Sequence, residues 1–142
     1  MRRQFLFVCI PFVLAVSVKA QDAAQLKIGG GTIDIEFTSS PAQPLRKMIV
    51  DWIATAARSV STYYAGYPVA HVHVAVNVRD GRGINSGRAF GWEHPHIQIA
   101  VGRSTSAAQF SDDWTITHEM VHLDFRRCLR TIIGSKRGSR LT

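Results

Sequence analysis

His118-Glu119-Met120-Val121-His122 sets two imidazoles four residues apart with a carboxylate between them. On a helix, positions i and i+4 share a face. Both rings can then reach one Zn²⁺, and the glutamate can act as general base towards a metal-bound water. Without a metal, the same five residues read as two histidines and a glutamate that cap or pair locally. Four further histidines fall in pairs. His71 and His73 are two apart on a strand-like run, a spacing that also holds metal and equally suits the polar face of a half-buried sheet. His94 and His96 flank Pro95 and could reach a metal; surface or hydrogen-bonding roles are the plainer reading. Arg82 and Arg88 lie in a glycine-marked stretch and read as solvating a loop rather than gripping phosphate. Gly29-Gly30-Gly31 lacks the following Gly-Lys-Ser/Thr of a phosphate loop and reads as a connector.

The elements that must position these groups alternate between the two periods. Thr32 to Phe37 alternates apolar and polar, as a strand does. Pro44 suits the first turn of a helix. Leu45, Ile49, Trp52, Ile53, Ala56 and Val60 then recur as one apolar stripe. Gly66-Tyr67-Pro68 closes that helix. Val69 to Val78 reads as the clearest strand, with Val72, Val74, Val76 and Val78 on one side and His71, His73, Ala75 and Asn77 on the other. Asp80-Gly81 and Gly83 mark a turn or loop. His96 to Val101 reads as a strand at a sheet edge, because Pro95 precedes it. An extended peptide could pair with such an edge and be held across a metal. The last helix is expected near Ser111 as N-cap, with Asp112 and Asp113 at its positive end. His118, Val121, His122 and Phe125 share one face and Ile116, Met120 and Leu123 another, so this helix is expected to be buried.

Charge divides the chain. Arg2 and Arg3 precede an apolar run from Phe5 to Val18, and Val18-Lys19-Ala20 offers small residues before a cut at Gln21, the layout of a secretory signal peptide over 1–20. The apolar run is too short for a comfortable membrane span, although an uncleaved anchor is the rival reading. Residues 21–125 carry eight Lys or Arg against ten Asp or Glu, a net −2; residues 126–142 carry six basic residues and no acidic one. The formal +7 is therefore a tail and a leader, not a basic surface. The tail has no aromatic residue for base stacking, which argues against nucleic acid as a partner. With Cys9 in the leader, Cys128 is the one cysteine left and forms no internal disulfide.

Trp114-Thr115-Ile116-Thr117-His118-Glu119-Met120-Val121-His122-Leu123 resembles the active helix of gluzincin metallopeptidases, the peptidase MA-like group of exported bacterial proteins. The resemblance spans roughly 31–124 and is strongest from Phe90 to Leu123. It implies an α+β, zincin-like fold: a small mixed sheet with an edge strand, packed on helices, with the motif helix beside it. It further implies Zn²⁺ as cofactor, His118 and His122 as ligands, Glu119 as general base, a peptide or protein substrate along the edge strand, and a periplasmic or extracellular location. That family's third ligand is a glutamate on a following helix, and this sequence has none. Asp124 is the one late carboxylate, and it lies about 200° of helix from His122. The segment after Phe125 shows no clear amphipathic period. Codons permitted for it, read in the neighbouring frame, can spell F-P-S-V-P-A-D-H-H-W-I-E-E-G-L-A-T-Y, which contains the missing ligand segment in order. The expectation is a partial zincin-like domain over 21–125, followed by a non-native basic tail over 126–142. Hydrolysis should be impaired. The alternative is a non-catalytic exported fragment or interaction module.

Overall fold

The computed structural model describes residues 23–90 and 94–124. The leader 1–20, Phe125, Cys128 and the tail 126–142 lie outside them. In chain order the elements are β1 (Ala23–Ile28), β2 (Gly31–Phe37), α1 (Gln43–Tyr63), β3 (His71–Arg79), β4 (Ile84–Phe90), β5 (His96–Gly102) and α2 (Ala107–Asp112). A further helix, α3, runs over 115–124. The sheet order is β1-β2-β3-β5-β4. β2, β3 and β5 are parallel neighbours, and β1 and β4 are antiparallel strands at the two edges. The chain is thus α+β with a mixed sheet.

One face of the sheet is apolar and lies under the helices. Ile33, Ile35, Val72, Val74, Val76, Ile97, Ile99 and Val101 are all almost fully buried there. Each such side chain contributes about 1.5–3 kcal/mol on burial. α1 starts with proline in its first turn, where the missing N–H costs nothing. It buries Leu45, Ile49, Trp52, Ile53, Ala56, Ala57 and Val60, the expected stripe. Ile116, Met120 and Leu123 of α3 join the same core. The opposite sheet face holds Asp34, Glu36, His71, His73 and Gln98, none of them buried.

Three expectations are corrected here. Gly29 and Gly30 are not a plain connector. They form a two-residue hairpin loop, with φ of 58° and 82°, joining β2 to the unexpected strand β1. That backbone suits glycine, as a type I′ turn requires. β5 is not an edge strand, since it pairs with β3 on one side and β4 on the other. Pro95 sits just ahead of it, where no ladder N–H is needed, while its carbonyl accepts from the His73 amide at 3.1 Å. The edge beside it is β4, and Arg88 lies in that strand rather than in a loop.

Candidate metal and catalytic site

α2 and α3 are separate helices. Ser106 caps α2 in a reciprocal capping box with Gln109, while Ser111 lies inside α2 and bonds back to the Ala107 carbonyl. Asp113 takes an extended ψ of 130° and breaks the helix. Its carboxylate then accepts from the Thr115 amide at 2.8 Å and from the Thr115 hydroxyl at 3.2 Å. The first α3 backbone bond follows, from the His118 amide to the Trp114 carbonyl at 3.0 Å. Asp113, not Ser111, is therefore the cap. The restart also fixes the phase of α3, because the Trp52 indole N–H donates to the Asp113 carbonyl at 3.3 Å and anchors the break to α1.

α3 is buried on one side only, not all round. Ile116, Met120 and Leu123 point into the core, whereas Trp114, His118, Val121 and His122 are exposed. On that open side, His118 Nε2 and His122 Nε2 stand 2.9 Å apart with their rings at 84°. Two nitrogens on one tetrahedral Zn²⁺ sit about 3.3 Å apart, given Zn–N near 2.0–2.1 Å. Opening the pair by a few tenths of an ångström is all that a shared ion needs. Trp114, 66% exposed, sets its ring edge-on to His118 at 4.8 Å.

Glu119 turns the other way, towards the sheet. It is buried, and its Oε2 accepts from the Ala89 amide of β4 at 2.7 Å. Gly87 makes this approach possible. A β-carbon there would stand 2.5 Å from Thr115 Cγ2 and 3.0 Å from Glu119 Cγ. The edge strand is thus clamped to the motif helix at the base of its carboxylate. Gly87 and Ala89 were invisible to motif reading, and Asp113, expected inside the helix after a Ser111 cap, instead caps a separate helix. Asp124 is half-buried in α3, and among the described residues no three His, Cys, Asp or Glu side chains are drawn together at one point.

The other histidines sit on the open sheet face. His71 Nε2 meets Asp34 Oδ2 at 2.6 Å, and His73 Nε2 meets Glu36 Oε2 at 3.1 Å. The hydrogen bonds from Gln25 and then from His71 hold the Asp34 carboxyl below its ordinary range. His96 pairs in register with His73, and its ring stacks on Phe90 at 4.7 Å. The two pairs that stand apart in sequence therefore meet, with His94, around one surface hollow. Among the described residues, none of them contacts His118 or His122. No protein-family model matches the chain, and no curated protein matches it.

Proposed function

We propose that this chain is an exported zinc metallopeptidase-like protein of gluzincin type that hydrolyses peptide bonds, and that as it stands its activity is weak. The approach of His118 Nε2 and His122 Nε2 on the open side of α3 carries the reading; Glu119, between them in sequence, is turned to the Ala89 amide of β4 and must swing from it to serve a water at that site. The two imidazoles fit as zinc ligands. When bound, zinc supplies a Lewis acid that polarises a carbonyl and acidifies water. The chain's own residues supply the rest. His118 and His122 would hold the ion, with Trp114 packed edge-on against His118. Glu119 would take a proton from the attacking water and return it to the leaving amine. The Ala89 amide fixes the position of that carboxylate. β4, as the strand edge nearest Glu119, is where an extended peptide would pair.

The ligand set is short by one among the described residues. The break to basic composition after Phe125 supports a shifted reading frame as the cause. The DNA sequence across codons 120–142 and beyond tests this: an open neighbouring frame encoding a W-x-E-E-G-like segment supports it, and its absence refutes it. On purified protein, His118→Ala/His122→Ala should reduce bound zinc by one equivalent. Glu119→Gln should keep the zinc and the Ala89 hydrogen bond but lower residual peptidase turnover by about 10²–10⁴-fold. Tight stoichiometric zinc with robust turnover would overturn the claim of impairment; zinc indifferent to His118 and His122 would overturn the site. The incomplete ligand set also favours a second reading, a non-catalytic module carrying a relic helix. Under it, Glu119→Gln changes no binding property.

A further inference from the structure

Parallel strands are usually covered on both faces, yet among the described residues no element covers one face of β2, β3 and β5, and that face gathers imidazoles. His71 and His73 project from it two residues apart on β3, and His96 stands beside His73 on β5. Neighbouring strands lie about 4.8 Å apart and alternate residues along a strand about 6.6 Å apart. Three imidazoles on such a grid can reach one ion, as a His-x-His strand with a third histidine on its neighbour allows.

The hydrogen bonds around these rings have the form that metal-binding histidines require. A ligating imidazole almost always gives its second nitrogen to a carboxylate or a carbonyl, which fixes its tautomer and orientation. Here His71 spends Nε2 on Asp34, and His73 spends Nε2 on Glu36, each leaving Nδ1 unspent among the described residues. His96 spends Nδ1 on the His94 carbonyl at 3.3 Å, leaving Nε2. Phe90, stacked at 8° to the His96 ring, holds its plane. Each of the three rings thus has one nitrogen already tied to an oxygen and the other available. The acids also lean consistently. Asp34 pairs in register with His73 but bonds His71, and Glu36 pairs with Ala75 but bonds His73.

We propose that His71, His73 and His96 form a second site for a divalent transition metal of the zinc, nickel and copper group, with Asp34 and Glu36 as the carboxylates behind two of the ligands. Three neutral imidazoles suit these borderline ions and not the oxygen-seeking calcium or magnesium. Among the described residues the three rings do not meet at one point, so binding requires small side-chain rotations that keep the carboxylate bonds of His71 and His73. The hollow they line, with Val69, Ala70 and Pro95, is open to solvent, and His71 and His73 are 60% and 41% exposed. This site is independent of the helix site.

The test uses the full chain carrying Cys128→Ser with His118→Ala and His122→Ala, so that neither the thiol nor the helix histidines contribute. Titration with Zn²⁺ and with Ni²⁺, read by calorimetry and by metal content after dialysis, should still show one ion per chain. Adding His73→Ala should weaken that ion by at least tenfold, and Asp34→Asn by about 10–100-fold. His73→Asn, with a melting curve, separates loss of a ligand from loss of the fold. The signature of Cu²⁺ in electron paramagnetic resonance should show three nitrogen ligands. No bound ion in the triple background, or an ion indifferent to both His73 and His96, would overturn the site.

Discussion

The edge strand leaves no room for a β-carbon against the motif helix at Gly87, and substituting alanine there tests how that close approach holds Glu119. Gly87 does not lie at positive φ, so alanine meets no backbone penalty. The added carbon is the whole perturbation. It would begin 2.5 Å from Thr115 Cγ2, 3.0 Å from Glu119 Cγ and 3.1 Å from Ile99 Cδ1. Carbon atoms pack at about 3.5–4.0 Å, so the strand and helix must part by roughly 1 Å. Overpacking of this kind costs about 1–3 kcal/mol. Replacing glycine offsets about 0.4–1 kcal/mol of that through the unfolded chain. The expected net loss is about 1–2 kcal/mol, or roughly 4–8 °C of melting temperature per kcal/mol in a domain of this size. Parting by 1 Å also takes the 2.7 Å bond from the Ala89 amide to Glu119 out of range. The control is Thr115→Ser, which removes the clashing methyl and keeps the hydroxyl that Asp113 accepts from. In Gly87→Ala/Thr115→Ser the loss should shrink by about 1 kcal/mol relative to the sum of the single changes. Urea unfolding of the four proteins measures that coupling. Additivity within about 0.3–0.5 kcal/mol would refute the claim that this contact sets the strand–helix distance.

Two further outcomes follow from the cap and the sheet face. Asp113→Ala removes both bonds to Thr115 and should cost about 0.5–2 kcal/mol in urea unfolding, whereas Ser111→Ala, inside α2, should cost far less; equal losses would return the cap to Ser111. Asp34 should titrate below an ordinary aspartate in carboxyl NMR, and Gln25→Ala and His71→Ala should each raise its midpoint. Because folding depresses this pKa, its contribution to stability is present above the unfolded value near 3.9 and is lost as the pH falls through the folded value. A midpoint unmoved by either change would show that these partners do not hold the carboxylate.

The sequence carried the interior of the sheet and lost its margins, for a physical reason. β2, β3, β5 and α1 bury alternate or helically spaced aliphatics, so their periods are written in the residues. β1 has the right alternation, Ala24, Leu26 and Ile28 against Ala23, Gln25 and Lys27, but its inner residues are only half-buried and its signal is weak. The Gly29-Gly30 loop was the better clue, because two glycines between alternating runs mark a hairpin. β4 had no local signal at all. Ile84-Asn85-Ser86-Gly87-Arg88-Ala89-Phe90 buries Ala89 alone and carries a register shift between Ile84 and Ser86. Pairing with β5 and contact with α3 make it a strand, against its propensity.

The candidate sites divide along the same line. His118, Glu119 and His122 could be read because helix geometry fixes their relation within five residues. The opposed directions of the two histidines and the glutamate could not. That opposition depends on β4, whose Gly87 and Ala89 create a slot for one carboxylate. The strand histidines were read as two separate pairs because nothing in the sequence says that β5 lies against β3. The crossing of β4 to the outer edge puts it there, bringing His96 level with His73. A local motif thus specifies ligands within one element, while ligands shared between strands depend on topology. This is why the helix site and the sheet-face site must be tested by separate substitutions, and why metal content measured on the unmodified chain alone would confound them.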